Sequence, residues 1–234
     1  MIEDHNFTFN EPIRRILGLM NSGEFGEVQH VDVFYCASLL GAWSPFADRN
    51  ATHPAFALKG GPIADILPHL ASLTYVFVGP HISVRTLWRR TEAAEHLPKD
   101  EFRALVEAQR GTATLGFSSH AQPNSIWVRV YGKKMQAEAN LMEPRLNIDR
   151  LRPCNPGLLP LRNGIQESWD VGKGAVRGFW RRLAGRPLSN EGMWELLRRT
   201  YAALQTGAEP PVSMSQLDAV SRLVADLTKE ELQF

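Results

Sequence analysis

From Gly79-Pro80 to about residue 151 the chain is a succession of short segments in which apolar and polar residues alternate, and this run limits the fold most. Residues 81–91, 111–119 and 125–131, and two pieces within 136–151, carry the β-branched and aromatic residues and the period of two of strands. Residues 28–37 show the same pattern earlier in the chain. Tyr131-Gly132-Lys133-Lys134 reads as a tight hairpin connection. Strands following one another through short turns favour antiparallel pairing. The expectation is an α+β fold, with an open, mostly antiparallel sheet and helices packed on one face.

The helices are written in the apolar spacing. Over 11–22, Ile13, Ile16, Leu17 and Met20 share a face; Asn10 is placed to cap the start and Gly23 to end it. After Lys59, Gly60-Gly61-Pro62 introduces a second helix with Ile63, Ile66, Leu67, Leu70, Leu73 and Phe77 as its stripe. Pro68 lies inside that helix and is expected to bend it. Three helices close the chain. Val176, Phe179, Trp180 and Leu183 form a stripe on the first, and Trp194, Leu197, Tyr201 and Leu204 on the second. The third follows Pro210-Pro211, is capped by Ser215, and turns Leu217, Val220, Leu223, Val224 and Leu227 inward.

Composition excludes more than it selects. With 234 residues, 44% of them hydrophobic, the chain has ample material for a packed core. A net charge of +1 gives no electrostatic argument for nucleic acid or an anionic membrane. Two cysteines make neither a disulfide framework nor a zinc site, and no metal site is expected from the histidine spacing. No apolar run has the length of a membrane span and Met1-Ile2-Glu3-Asp4-His5 does not open like a signal peptide, so a cytoplasmic location is expected. Gly172-Lys173-Gly174 lacks dinucleotide-loop spacing and follows no strand; Ser118-Ser119-His120 is no nucleophile elbow.

The chemistry-bearing stretch is the second helix. Asp65 and His69, four residues apart, share a face beside the glycine pair. They read either as an acid/base device or as a surface ion pair. Gly60 and Gly61 let the backbone turn sharply and lie close to a ligand. The long irregular loop before them places His53 to face a ligand, while Trp43 and Phe46 serve as a sugar-stacking platform or as hydrophobic pins of that loop.

Taken together these pieces resemble the C-terminal half of the glucose–fructose oxidoreductase / inositol dehydrogenase / MocA-like (Gfo/Idh/MocA) family. His5-Asn-Phe-Thr-Phe-Asn-Glu-Pro12 resembles the family's N-x-R-F-x-P entry, with Thr8 where arginine is usual. Gly23-Glu-Phe-Gly26-Glu-Val resembles its G-x-[IL]-G-x-[VI] lead into the first strand. Gly60-Gly61-Pro-Ile-Ala-Asp65-Ile-Leu-Pro-His69 resembles its G-G-x-[LI]-x-D-x-[GA]-x-H signature, with Ser72 where an aspartate often follows. The end, Tyr201-Ala-Ala-Leu, Gly207 and Pro210-Pro211-Val-Ser, also resembles how such chains finish.

The resemblance implies an NAD(P)-dependent oxidoreductase acting on a sugar, polyol or similar compound. His69 would be its acid/base and Asp65 the group that orients His69, raises its pKa or contacts the substrate hydroxyl. Gly60, Gly61, His53 and Trp43 would line the substrate, with Gly61 also against the nicotinamide of NAD or NADP. The family's glycine fingerprint and Glu-Lys-Pro motif do not occur here, so the chain is expected to start mid-domain and to hold no NAD(P) by itself. On that reading residues 1–26 are the remnant of a nucleotide-binding domain with its connecting helix, and 27–234 the substrate and oligomerisation domain. The competing reading is a non-catalytic carbohydrate-binding or oligomerisation module. Subunit contacts, a homo-oligomer through the open sheet face, are implied by the resemblance; Trp127 and Tyr131 lie either on that face or in the core.

Overall fold

The structure, a computed structural model, describes residues 5–41, 44–48, 50, 52–91, 96–143, 145–150 and 191–229, with isolated positions between 157 and 183. Its frame is a seven-stranded sheet in the order β2-β3-β4-β1-β5-β6-β7. The strands are β1 (Val28–Cys36), β2 (His81–Arg89), β3 (Glu101–Ala108), β4 (Gly111–Ser118), β5 (Ser125–Gly132), β6 (Met135–Asn140) and β7 (Arg145–Arg150). Every neighbouring pair is antiparallel except β1 with β4. β5 and β6 are joined through Lys133 and Lys134, the hairpin read from the sequence.

One face of the sheet is apolar and covered. Val31 and Val33 of β1, Phe102 of β3, Leu115 and Phe117 of β4, and Val128 and Val130 of β5 form one core with α2 (Pro62–Val78). Ile63, Leu67, Leu70, Leu73 and Phe77 of α2 are fully buried there, each contributing about 1.5–3 kcal/mol by removal from water. The helix runs on through Pro68. Ile13 and Ile16 of α1 (Glu11–Asn21) and Phe25 belong to the same core. Asn10 makes no side-chain capping bond to α1, which instead has proline in its first turn.

The final helix, α4 (Met214–Leu227), buries Leu217, Val220, Leu223 and Leu227. Its cap is Ser213, not Ser215: the Ser213 hydroxyl accepts the Gln216 N–H at 3.2 Å. Asp226 receives His81 Nε2 at 2.7 Å and Lys229 Nζ at 2.5 Å, and Trp88 Nε1 donates to the Leu227 carbonyl at 3.1 Å. These bonds fasten α4 to β2.

Two elements differ from the sequence pattern. β3 was not among the strands read from it. Its Glu, Ala and Leu residues are good helix formers, yet pairing between β2 and β4 turns Phe102, Ala104, Val106 and Ala108 inward. On α3 (Glu191–Thr206) the apolar stripe is not the buried one: Trp194, Tyr201 and Leu204 face solvent, while Gly192, Leu196 and Thr200 face the 3-10 turn Asn6–Phe9. Of the stripe expected on the first closing helix, Val176, Phe179, Trp180 and Leu183 are exposed as well.

α3 is held to α1 by charge and to the N-terminal turn by close backbone approach. Glu195 accepts Arg198 Nε at 2.8 Å and Arg199 Nε at 2.7 Å, with Arg14 at 3.9 Å. The Arg198 hydrogen bond, helped by Arg199 and Arg14 and opposed by burial, pulls the Glu195 carboxyl down to about 2. A Cβ on Gly192 would lie 2.1 Å from the Asn6 carbonyl oxygen and 2.2 Å from Asn10 Oδ1. Gly192→Ala should therefore push α3 off the turn and lower stability by about 1–3 kcal/mol in urea unfolding, whereas Gly18→Ala, with open space around it and ordinary helical backbone, leaves that packing intact.

Candidate functional site

β1 and β4 run parallel, so their carboxyl ends lie side by side, and the segments after Cys36 and Ser118 leave the sheet together. The amino-terminal end of α2 reaches the same edge. Gly60 (φ +95°) and Gly61 (φ +63°) turn the chain into the helix through backbone conformations that L side chains rarely adopt. A Cβ on Gly60 would meet the Trp88 ring at 2.8 Å, and one on Gly61 would meet Pro98 Cγ at 2.5 Å. The close approach that needs glycine here is made to Trp88 and Pro98.

Asp65 stands in the first turn of α2, exposed, with no ion pair among the described residues. His69 follows one turn later, about 12 Å along the axis from Gly61 at 1.5 Å per residue. Its ring is half-buried, with the Phe7 ring 4.6 Å away between centroids. Phe7 also packs edge-on against Tyr35 at 6.2 Å, and Tyr35 against Phe117 at 5.8 Å. Burial pushes the Tyr35 phenol up from its ordinary value, so it stays a neutral hydroxyl through the physiological range. The structure thus sets His69, Phe7 and Tyr35 side by side below Asp65. Phe7 and Tyr35 were not singled out from the sequence, since their contact joins three distant segments.

The remaining sequence candidates divide. His53 caps the 3-10 turn Pro54–Ala57, its Nδ1 accepting the Ala55 N–H at 3.2 Å, and packs edge-on against Phe46 at 4.8 Å. Phe46 is buried, pinned by Phe56 at 5.7 Å and by its carbonyl bond to His96 Nε2 at 3.0 Å. It serves as the hydrophobic pin of its loop. Trp43 lies outside the described residues.

A second polar cluster ties the loops at this edge together. The fully buried Asp100 carboxylate accepts the Thr91 N–H at 2.9 and 3.1 Å, the Thr91 hydroxyl at 2.5 Å and His120 Nε2 at 3.1 Å. Burial pushes the carboxyl up, but the bonds from Thr91 and His120 outweigh it and hold Asp100 below its usual value. The Ser119 N–H donates to the Asp100 carbonyl at 3.1 Å. The end of β2 and the turn after β4 are thereby anchored to one carboxylate. No group of three or more metal-ligating side chains occurs among the described residues, and none of their helices is long and apolar enough to cross a membrane.

The sequence pattern of the GFO/IDH/MocA C-terminal domain matches residues 13–138. Over 163 residues the chain is 28% identical to the 1-carboxy-3-chloro-3,4-dihydroxycyclohexa-1,5-diene dehydrogenase of Comamonas testosteroni, covering 64% of this chain and 38% of that protein. The fold is similar to the WlbA dehydrogenase of Bordetella pertussis, solved with NADH and UDP-GlcNAcA, at a TM-score of 0.64 and 13% identity over 95% of this chain and 61% of that one. It is similar also to levoglucosan dehydrogenase in complex with NADH, at a TM-score of 0.63 and 15% identity over 96% of this chain and 62% of that one. The chain thus spans less than two thirds of each of these proteins.

Asp100→Asn keeps the shape but weakens every bond at the hub, and should cost about 1–3 kcal/mol in denaturant unfolding. Because the folded carboxyl is depressed, its contribution is complete above the unfolded value of about 3.9 and fades as pH falls through the lower folded value. The stability difference between wild type and Asp100→Asn should accordingly shrink on acidification below about pH 4.

Proposed function

The chain belongs to the GFO/IDH/MocA family, matching its C-terminal domain, and from that premise we propose that it forms the substrate side of an NAD(P)-dependent oxidoreductase acting on a sugar, polyol or similar hydroxyl or carbonyl compound. The observation that carries this reading is the placement of Asp65 and His69 one helical turn apart, on α2, at the sheet edge where β1 and β4 end. Both similar structures named above were solved with NADH, and one of them with a nucleotide sugar acid.

In this reading His69 takes the proton of the reacting hydroxyl, or returns it to a carbonyl, while the nicotinamide accepts or supplies the hydride. Imidazole suits that task because its ordinary pKa lies near neutrality. Asp65, exposed one turn nearer the glycine pair, accepts a substrate hydroxyl and fixes the ring's orientation. Phe7 covers one side of His69 and keeps bulk water from that face.

The fit of the nicotinamide itself to these residues is poor. Gly61 is buried and the space beside it is filled by Pro98, so the glycine pair offers no open cradle for a dinucleotide. We place the main cofactor contacts outside the described residues. Ile13, Ile16 and Phe25 are fully buried in the sheet's core, so α1 packs as part of the sheet domain. His53 and Trp43 remain candidate substrate contacts, His53 only if the Phe46 packing loosens.

Titration calorimetry of the purified chain with a panel of sugars, polyols and sugar acids tests the site. At least one compound should bind, and Asp65→Ala and His69→Ala should each weaken it about tenfold or more, the worth of one hydrogen bond to a charged or aromatic polar group. Binding that both variants leave unchanged would favour the non-catalytic carbohydrate module instead.

The other sheet face favours a partner. Trp127 and Tyr131 lie on it, half-buried, with Phe34 and the exposed Leu87 and Leu105. Asp32, Phe34, Arg103, Gly116, Trp127 and Arg129 line a concavity of about 450 Å³ there. We propose a second copy of the chain as its cover, because Phe34, Leu87, Leu105, Trp127 and Tyr131 stand there among arginines and hydrogen-bonded polar groups, the aromatic- and arginine-rich mixture of subunit interfaces. Light scattering should show a dimer or larger assembly that Leu105→Arg shifts to monomer. A wild-type monomer at high micromolar concentration would remove the oligomer from the reading.

A further inference from the structure

Tyr35 carries a hydroxyl that neither the fold nor the proposed acid/base pair uses. On β1, Val31 and Val33 are buried in the core shared with α2, and Tyr35 continues the same alternating row next to the strand's carboxyl end. Its partner across the sheet is Phe117, in the parallel pairing of β1 with β4. The ring is held on two sides, edge-on by Phe117 at 5.8 Å and by Phe7 at 6.2 Å between centroids. Phe7 also meets the His69 ring at 4.6 Å, so one phenyl ring packs on both the imidazole and the phenol.

The hydroxyl is in a different condition from its ring. Among the described residues it has no hydrogen-bond partner, and it is not closed off from solvent. Other hydroxyls near His69 are tied to the protein: Ser72 donates to the His69 carbonyl at 3.1 Å, Thr74 to the Leu70 carbonyl at 2.9 Å and Thr8 to the His5 carbonyl at 2.7 Å. Packing thus fixes where the Tyr35 ring stands and leaves the hydroxyl's whole capacity open, one O–H to donate and lone pairs to accept.

We propose that Tyr35 is a substrate-binding residue, its hydroxyl bonding a second oxygen of a polyoxygenated compound whose reacting oxygen faces His69. This rests on the reading of Asp65 and His69 as the acid/base pair and adds a demand on the substrate. Tyr35 comes from β1 and His69 from α2, with Phe7 packed on both, so the two polar groups approach a ligand from different elements and reach different oxygens of it. Sugars and cyclic polyols offer an oxygen on neighbouring ring carbons; a simple alcohol does not. Burial holds the phenol above its ordinary value, so it keeps its proton through the range in which an imidazole titrates and donates to a hydroxyl, carbonyl or carboxylate alike. A donor already held by packing loses little freedom on binding, which favours affinity.

Tyr35→Phe removes the hydroxyl alone and keeps both ring contacts. The full chain is titrated calorimetrically with D-glucose, myo-inositol and D-glucuronate, and unfolded in urea. The urea midpoint of Tyr35→Phe should match wild type, since no bond within the protein is lost, while affinity for the probe that binds falls about tenfold. The same probe should perturb the tyrosine ultraviolet spectrum of the wild type, and the perturbation should vanish in Tyr35→Phe. A lowered midpoint would make the hydroxyl a structural one and overturn the inference, as would unchanged affinity. If Asp65→Ala and His69→Ala weaken binding and Tyr35→Phe does not, the acid/base site stands and Tyr35 drops out of it. Loss in Tyr35→Phe with none in the other two keeps Tyr35 as a binding residue and removes the acid/base pair. A wild-type chain that binds none of the three probes overturns this inference together with the reading it rests on.

Discussion

Everything near the candidate site depends on where α2 begins. The helix starts only because Gly60 and Gly61 adopt positive φ and let Trp88 and Pro98 come within contact distance of the backbone. Trp88 belongs to β2 and is itself bonded to the end of α4 through the Leu227 carbonyl, so one ring ties the helix start, the sheet edge and the last helix together. Once that end is fixed, the fully buried face of α2 sets its rotation. Asp65 must then fall on the exposed side and His69 at the margin, under Phe7. A side chain at either glycine would displace the helix start by clash and strain alike.

The two faces of the sheet solve different problems. The helix face is apolar, and its polar exceptions on α2 bond locally, Thr74 to the Leu70 carbonyl and Ser72 to the His69 carbonyl. The open face carries a polar hub at its centre. Asp32 accepts the Thr114 hydroxyl and His30 Nε2, and these bonds keep its carboxyl low although burial pushes it up. Arg103 stretches over the Phe34 ring, 4.7 Å from its centre, while donating to the carbonyls of Phe102 and Phe117. Gly116 makes this possible, since a Cβ there would lie 2.5 Å from the Phe34 ring. Satisfied polar groups and flattened aromatics make a face that can meet another surface without burying an unpaired charge.

The sequence made α2, α4, the open sheet and the hairpin through Lys133 and Lys134 legible, because each carries its own local signal: glycine and proline at a start, or one unbroken period. It hid β3, where Glu101, Ala104, Leu105 and Glu107 favour a helix until the flanking strands impose the alternation. On α3 two faces compete. The more apolar one is left outward, while the packed one uses Gly192 and Thr200, small residues that allow approach but register poorly as core. The motif residues Asp65 and His69 were visible as a pair. The company His69 keeps was not, because Phe7 and Tyr35 come from elements that only the folded sheet brings together. Asp100 was hidden for the same reason: its partners Thr91 and His120 lie on separate loops.

The single parallel pairing sets this edge apart from the rest of the sheet. Antiparallel neighbours return through short turns, so their ends close on themselves. β1 and β4 instead send two chain segments away from the same edge, and α2 lies within the long crossover that joins them. Ligands in sheets with parallel strands favour the crevice beyond their carboxyl ends for this reason. Here that edge carries the start of α2 with Asp65, the Asp100 hub that pins the neighbouring loops, and Tyr35 as a neutral phenol beside Phe7. Topology supplies the place, and the glycine-started helix supplies Asp65 and His69, the proposed acid/base pair, within it.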